Sequence, residues 1–374
     1  MKTALSILYA FTFTLSGCGG GSSPPAVDIQ TLKEQLGGTI FADTNLSEPV
    51  GQSCASCHDA VSGFADPDSD NTNPVSEGAV TGRFGNRNAP TAAYAALTPT
   101  FGTNTAGEFI GGQFIDGRAA TLVEQAKVPF LNPLEMANPD KASVISKVRN
   151  SSYATLFEQV YGTGSLNNTN VAYDQMADAL AAFQSTNAFS PFTSKFDFFL
   201  AGQAQLTTQE MRGFNLFDGK GQCFACHEFG SQRLFTNHTY SNIGVPKNLN
   251  NPFYTMPLQF NPDGATFVDL GLGANPAVLS VLENGKFRIP TLRNVALTAP
   301  YMHNGVFQTL NQVVDFYNTR DVLPTCPTNT PNCWPLPEVA DNMDTQLMGN
   351  LGLTQGEVND IVAFLNTLTD GYVP

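Results

Sequence analysis

The sequence predicts a mainly α chain of two tandem domains of one kind, joined by long irregular loops, and three observations predict it. A five-residue string occurs at Cys54-Ala55-Ser56-Cys57-His58 and again, 169 residues on, at Cys223-Phe224-Ala225-Cys226-His227. Each copy follows a segment of like character, Ile40-Phe41-Ala42-Asp43 before the first and Leu216-Phe217-Asp218 before the second, as in a duplicated unit. Strand signals are sparse, while 33 glycines and 24 prolines among 374 residues imply long connections without regular structure.

Residues 1–17 read as an export signal. Lys2 precedes an apolar run from Ala4 to Leu15 that is too short to span a bilayer, and Leu15-Ser16-Gly17-Cys18 closes it. This resembles a bacterial lipoprotein signal, with cleavage before Cys18 and lipid on its sulfur. The alternative is an ordinary secretory leader with an incidental cysteine; both export the protein. Residues 18–29 form the tether, because Gly-Gly-Gly-Ser-Ser-Pro-Pro at 19–25 has no apolar periodicity. The expected location is the periplasm, or the outer membrane or cell surface of a Gram-negative bacterium. Membrane contact is expected only through the lipid, since no later stretch is apolar enough to cross a bilayer.

The first domain is expected over residues 30–200 and the second over 201–374. The boundary is placed within Asn187 to Gln205, between a helix around Ala182 and the capping box Thr207-x-x-Glu210. Behind that box Met211, Phe214 and Phe217 recur at helical spacing. At the C-terminus Thr354-x-x-Glu357 precedes Val358, Ile361, Val362 and Leu365 on one helical face.

The formal charge is −14, and loss of Met1 to Gly17 removes Lys2 and no acid, leaving −15. A surface so acidic disfavours nucleic acid as a partner and suits a basic or dipolar redox protein.

Cys-x-x-Cys-His is the attachment site of a c-type haem. Cysteines three apart share one face of a helical turn, where each can bond a vinyl group, and the next residue presents its imidazole to the iron. Cys54, Cys57, Cys223 and Cys226 therefore bind cofactor, with His58 and His227 as proximal ligands, and the class becomes two tandem cytochrome c-type haem domains. A zinc site would need more Cys and His nearby than the chain has. Cys326 and Cys333 remain, seven apart, and a disulfide could clamp their loop in an oxidising compartment; two buried thiols are the alternative. The chain has four histidines, His58, His227, His238 and His303, and none lies between the two motifs. The first iron thus has no second imidazole from its own domain, which leaves an open position for a small ligand such as peroxide. Met136 could fill it and is expected to pack instead.

The chain resembles the bacterial di-haem cytochrome c peroxidases and the related MauG maturases. The resemblance covers nearly all of residues 30–370. It rests on both haem motifs, Arg87-Asn88-Ala89-Pro90, Asp116-Gly117-Arg118, Glu124-Gln125 with Pro129, Asn132-Pro133-x-Glu135-Met136, Pro290-Thr291-Leu292-Arg293-Asn294 and Ala299-Pro300-Tyr301-Met302-His303-Asn304-Gly305. It implies that Glu135 stands over the peroxide-binding haem as general acid and base, and that Gln125 is a distal amide orienting ligand or water. It implies calcium between the haems, held through Asn88, Thr298 and Pro300. His303 belongs to the inter-haem region, where it could tune the haem through hydrogen bonds or serve structure alone. The resemblance gives His238 no role.

Fourteen residues after His303, where the family's peroxidases carry methionine, stands Tyr317, as in MauG. A phenolate there would stabilise oxidised iron and lower its potential, whereas methionine would raise it. Met302, Met343 and Met348 are the alternative ligands. The family's tryptophan before Asp-Gly-Arg is replaced by Ile115, which cannot be oxidised, and the sole tryptophan is Trp334. The implied activity is peroxide reduction, with electrons from a small redox protein such as a cytochrome c or a copper protein. The alternatives are MauG-like oxidation of Trp or Tyr in a protein substrate, and a non-catalytic di-haem carrier or sensor.

Overall fold

The computed structural model describes residues 28–328 and 332–374. The expected signal segment, Cys18 and nearly all of the tether lie outside the described residues, as do 329–331 in the Cys326–Cys333 loop. The described chain is mainly helical: α1 Ile29–Ala42, α2 Cys54–Cys57, α3 Leu122–Ala126, α4 Lys141–Arg149, α5 Ala154–Tyr161, α6 Thr169–Gln184, α7 Lys195–Leu200, α8 Thr208–Asp218, α9 Leu310–Thr319 and α10 Gln355–Asn366. Strand is confined to two antiparallel two-residue ribbons, β1 Gly102–Thr103 with β2 Phe109–Ile110 and β3 Tyr240–Ser241 with β4 Phe287–Arg288.

Local chemistry starts several helices. Thr207 and Glu210 reciprocally cap α8, as Thr354 and Glu357 cap α10, so two N–H groups are satisfied at each start. The same device, with Ser194 and Asp197, opens α7. Of the apolar stripe on α8, Phe217 is buried and Phe214 packs beside it; on α10 Val358, Ile361 and Leu365 are buried.

Two helix pairs frame the two halves. α1 crosses α6 over a core running from Leu36 to Phe189, and α8 crosses α10 over a second core running from Phe196 to Leu368. Both crossings depend on glycine. A Cβ added at Gly37 would lie 2.0 Å from the carbonyl oxygen of Ala179, and one at Gly213 would lie 1.9 Å from that of Asp360. The backbones touch there, and the haem-motif segments that follow α1 and α8 pack against those helices.

The halves are joined by buried polar contacts. Within the C-terminal half, Arg293, whose side chain is fully buried, donates to both carboxylate oxygens of Asp197 at 2.8 Å, and the bridge between the halves is made by Arg87. Arg87 donates to Asp116 at 2.6 Å and twice to Asp269 at 2.6 Å. Removing one partner of such a pair strands a buried charge. Among the described residues no helix is long and apolar enough to cross a membrane.

Gly213→Ala should cost about 1–3 kcal/mol, because the new methyl meets carbonyl backbone that cannot move aside. Gly356→Ala, in the first turn of α10 with only the Thr354 hydroxyl 3.9 Å away, should instead be neutral or stabilising by up to about 1 kcal/mol. Chemical denaturation of the holoprotein reads both, and equal effects would contradict the close-crossing account.

Candidate active site: two haem cavities

Each Cys-x-x-Cys-His string borders a largely apolar cavity. The N-terminal cavity is lined by Cys54, Cys57 and His58 together with Gln125, Pro129, Asn132, Glu135 and Met136. The C-terminal one is lined by Cys223, Cys226 and His227 together with His238, Met302, His303, Tyr317 and Met348. None of the four motif cysteines is in a disulfide. Burial pushes the thiols of Cys54, Cys57 and Cys223 up to about 12. Among the described residues no cluster of three or more His, Cys, Asp or Glu gathers to hold a metal ion, so a zinc site lacks its ligands.

The two imidazoles are held alike. His58 Nδ1 lies 3.0 Å from the carbonyl oxygen of Phe64, and His227 Nδ1 lies 3.0 Å from that of Phe235. A carbonyl only accepts, so Nδ1 carries the proton and Nε2 keeps its lone pair. Both acceptor phenylalanines have left-handed backbone, φ 60° and 55°, which turns the carbonyl toward the ring. Burial lowers the pKa of both rings, that of His227 to about 4, and so keeps them neutral as iron ligation requires. Two thiols and one oriented neutral imidazole on an apolar cavity fit a covalent haem at each site.

Beyond the imidazoles the cavities differ. The N-terminal cavity holds Glu135, whose pKa is raised by burial, against the opposing effects of Arg118 and of a 2.9 Å hydrogen bond from Asn132. Gln125 lines the same cavity. Met136 is 4% exposed and belongs to the first core as well as the cavity wall. In the C-terminal cavity burial pushes the Tyr317 phenol up. A phenolate would be stable there only beside a cation. Met302 and Met348 line this cavity too, whereas Met343 does not.

Gln113, Phe114, Ile115 and the stretch Asn88 to Thr91 line both cavities. Ile115 is therefore in the partition, where its carbonyl accepts from Arg288 N at 2.7 Å. Trp334 lies elsewhere, in a small core with Phe307 and Phe316. Asn88, Thr298 and Pro300 come together on the C-terminal cavity although 212 residues separate Asn88 from Pro300. The amide NH₂ of Asn88 donates to the Pro300 carbonyl, so a cation there requires the amide turned to present its oxygen. Cys326 and Cys333 are disulfide-bonded, with Cα atoms 5.7 Å apart.

Sequence reasoning missed several polar groups of the C-terminal cavity. The Nε of Arg288 and the Nδ1 of His238 are buried and lack a hydrogen-bond partner among the described residues. His303 stacks on Phe287 with ring centroids 3.8 Å apart, and its Nε2 is 3.8 Å from Glu338. Nothing local in the sequence marks Arg288 or Glu338, since only the fold carries them inward.

The chain is similar to characterised proteins over this whole architecture. The family model described as "Di-haem cytochrome c peroxidase" matches residues 31–205. The methylamine utilization protein MauG of Paracoccus denitrificans is 42% identical over 90% of this chain and 88% of its own length. The cytochrome c551 peroxidase of Nitrosomonas europaea is 31% identical over 90% of this chain and 79% of its own. The crystal structure of the diheme peroxidase BthA from Burkholderia thailandensis superposes with a TM-score of 0.77 at 33% identity, covering 91% of this chain and 86% of that one. With two cavities each fitted for a covalent haem, the chain belongs to the di-haem cytochrome c peroxidase and MauG family of oxidoreductases.

Proposed function

We propose that this protein reduces hydrogen peroxide at its N-terminal haem site, with electrons relayed through the C-terminal one. The observation that carries the reading is the asymmetry of the cavities: one presents a buried carboxyl group, Glu135, and the other a buried phenol, Tyr317. When bound, the haems supply redox-active iron and, at the N-terminal site, a coordination position for peroxide. The balance is H₂O₂ + 2H⁺ + 2e⁻ → 2H₂O, and the chain manages its protons. Glu135 takes a proton from one peroxide oxygen and delivers it to the other, so the leaving group departs as water instead of hydroxide. Asn132 holds the carboxyl group in place through its 2.9 Å hydrogen bond, and Gln125 offers an amide to orient substrate or water.

On this reading His58 and His227 hold the irons, Tyr317 closes the second and His303 tunes the region between them. Asn88, Thr298 and Pro300 hold calcium. The protein is exported to the periplasmic side and tethered by lipid on Cys18. Its donor is a small redox protein. One alternative has a specific observation behind it: Tyr317 in the C-terminal cavity, together with 42% identity to MauG, favours a maturase that oxidises Trp or Tyr of a protein substrate. Addition of a reduced cytochrome after peroxide separates them, because a peroxidase is re-reduced rapidly and a maturase is not.

Glu135→Gln should lower peroxide turnover by roughly 10²–10⁴-fold with both haems still attached; unchanged turnover removes Glu135 from the mechanism. Burial raises the Glu135 pKa above the ordinary glutamate value of about 4.3. The carboxylate form therefore disappears at a higher pH than for an exposed glutamate. Turnover should fall as pH is lowered through that raised value, and Glu135→Gln should flatten the profile. Tyr317→Met should raise the midpoint potential of the C-terminal haem in spectroelectrochemical titration, and an unchanged potential would reject Tyr317 as its ligand.

A further inference from the structure

Ile115 leaves the partition without an oxidisable side chain at that position, yet another one stands nearby. Two segments 200 residues apart share a pattern, Pro90-Thr91-Ala92-Ala93-Tyr94-Ala95-Ala96-Leu97-Thr98 and Pro290-Thr291-Leu292-Arg293-Asn294-Val295-Ala296-Leu297-Thr298. Their structures match. Thr91 Oγ1 donates to the Gly63 carbonyl and accepts from Ala93 N; Thr291 Oγ1 donates to the Leu234 carbonyl and accepts from Arg293 N. Tyr94 and Asn294 then take the same left-handed backbone, φ 61° and 60°, each before a short 3₁₀ turn. Asparagine adopts that conformation readily, and tyrosine does so at a cost. The N-terminal half therefore keeps a strained, 2% exposed tyrosine where its twin has the expected residue.

The surroundings of Tyr94 suit electron transfer. Tyr94 lines the C-terminal cavity, its neighbours Thr91 and Ala95 line both cavities, and Ala92 lines the N-terminal one. It shares an apolar cluster with Leu234 and Phe64, and the Phe64 carbonyl holds His58. The phenol donates to Asp370 Oδ2 at 2.7 Å and accepts from Phe192 N at 3.1 Å. A carboxylate can take a proton from an oxidised phenol. By contrast, Tyr240, close by at Gly117, donates to the carbonyl of Gly111, which cannot.

We propose that Tyr94 is a proton-coupled redox relay between the two haem sites, in the role that Ile115 cannot fill. Tyr94 gives one electron to the peroxide-oxidised N-terminal site, and its phenolic proton moves along the existing hydrogen bond to Asp370, leaving a neutral phenoxyl. An electron from the C-terminal site and return of the proton from Asp370 restore the phenol, so neither charge nor protons accumulate. Hydrogen peroxide is the oxidant, and in that respect the relay rests on the peroxidase reading.

The test is stopped-flow absorption of the di-haem protein after one equivalent of hydrogen peroxide, following the C-terminal haem bands separately from those of the N-terminal haem. In Tyr94→Phe, with both haems attached, the N-terminal response should be unchanged and the C-terminal response slowed by about tenfold or more. Asp370→Asn, which keeps the shape and removes the proton acceptor, should slow the same phase. Adding Ile115→Trp to Tyr94→Phe should restore the rate, which a merely structural role for Tyr94 would not allow. An unchanged C-terminal phase in Tyr94→Phe overturns the relay and leaves the peroxidase reading intact, whereas no response of either haem in the unaltered protein overturns both.

Discussion

One hydrogen bond at each site governs the rest: the imidazole Nδ1–H donated to a phenylalanine carbonyl that a left-handed backbone turns inward. It fixes which nitrogen is left for iron and the plane of the ring, and burial keeps that ring neutral. Phe64 and Phe235 sit in conformations that phenylalanine seldom adopts, and the cores over α1–α6 and α8–α10 hold them there. The glycine crossings at Gly37 and Gly213 bring those helices close enough to do so.

On this shared frame the two sites diverge through single residues. Glu135 places a carboxyl group in the N-terminal cavity, and Tyr317 places a phenol in the other. The duplicated scaffold thus carries unlike chemistry. Between the cavities, Arg87 with Asp116 and Asp269 forms a rigid ion-pair knot. Ile115 lines both cavities but brings no redox chemistry.

Much of this was legible in the sequence, for local reasons. The haem motifs have their chemistry written into five consecutive residues. The capping boxes at Thr207 and Thr354 satisfy backbone groups three residues away, so spacing alone reveals them. What escaped were groups brought inward by chain with no period of its own. Arg288 and Glu338 lie in the irregular stretch after the second motif, and only tertiary structure turns them toward the cavity. Tyr94 was hidden differently. Its signal was the 200-residue offset to Asn294, and the match of the two segments gains meaning only when their backbones are compared.

The inequality of the two irons is tested most directly by low-temperature electron paramagnetic resonance of the fully ferric protein. One high-spin and one low-spin signal are expected, from an iron with an open face beside Glu135 and an iron closed by Tyr317. Two low-spin signals would mean that a protein atom also closes the N-terminal iron, and would contradict the account.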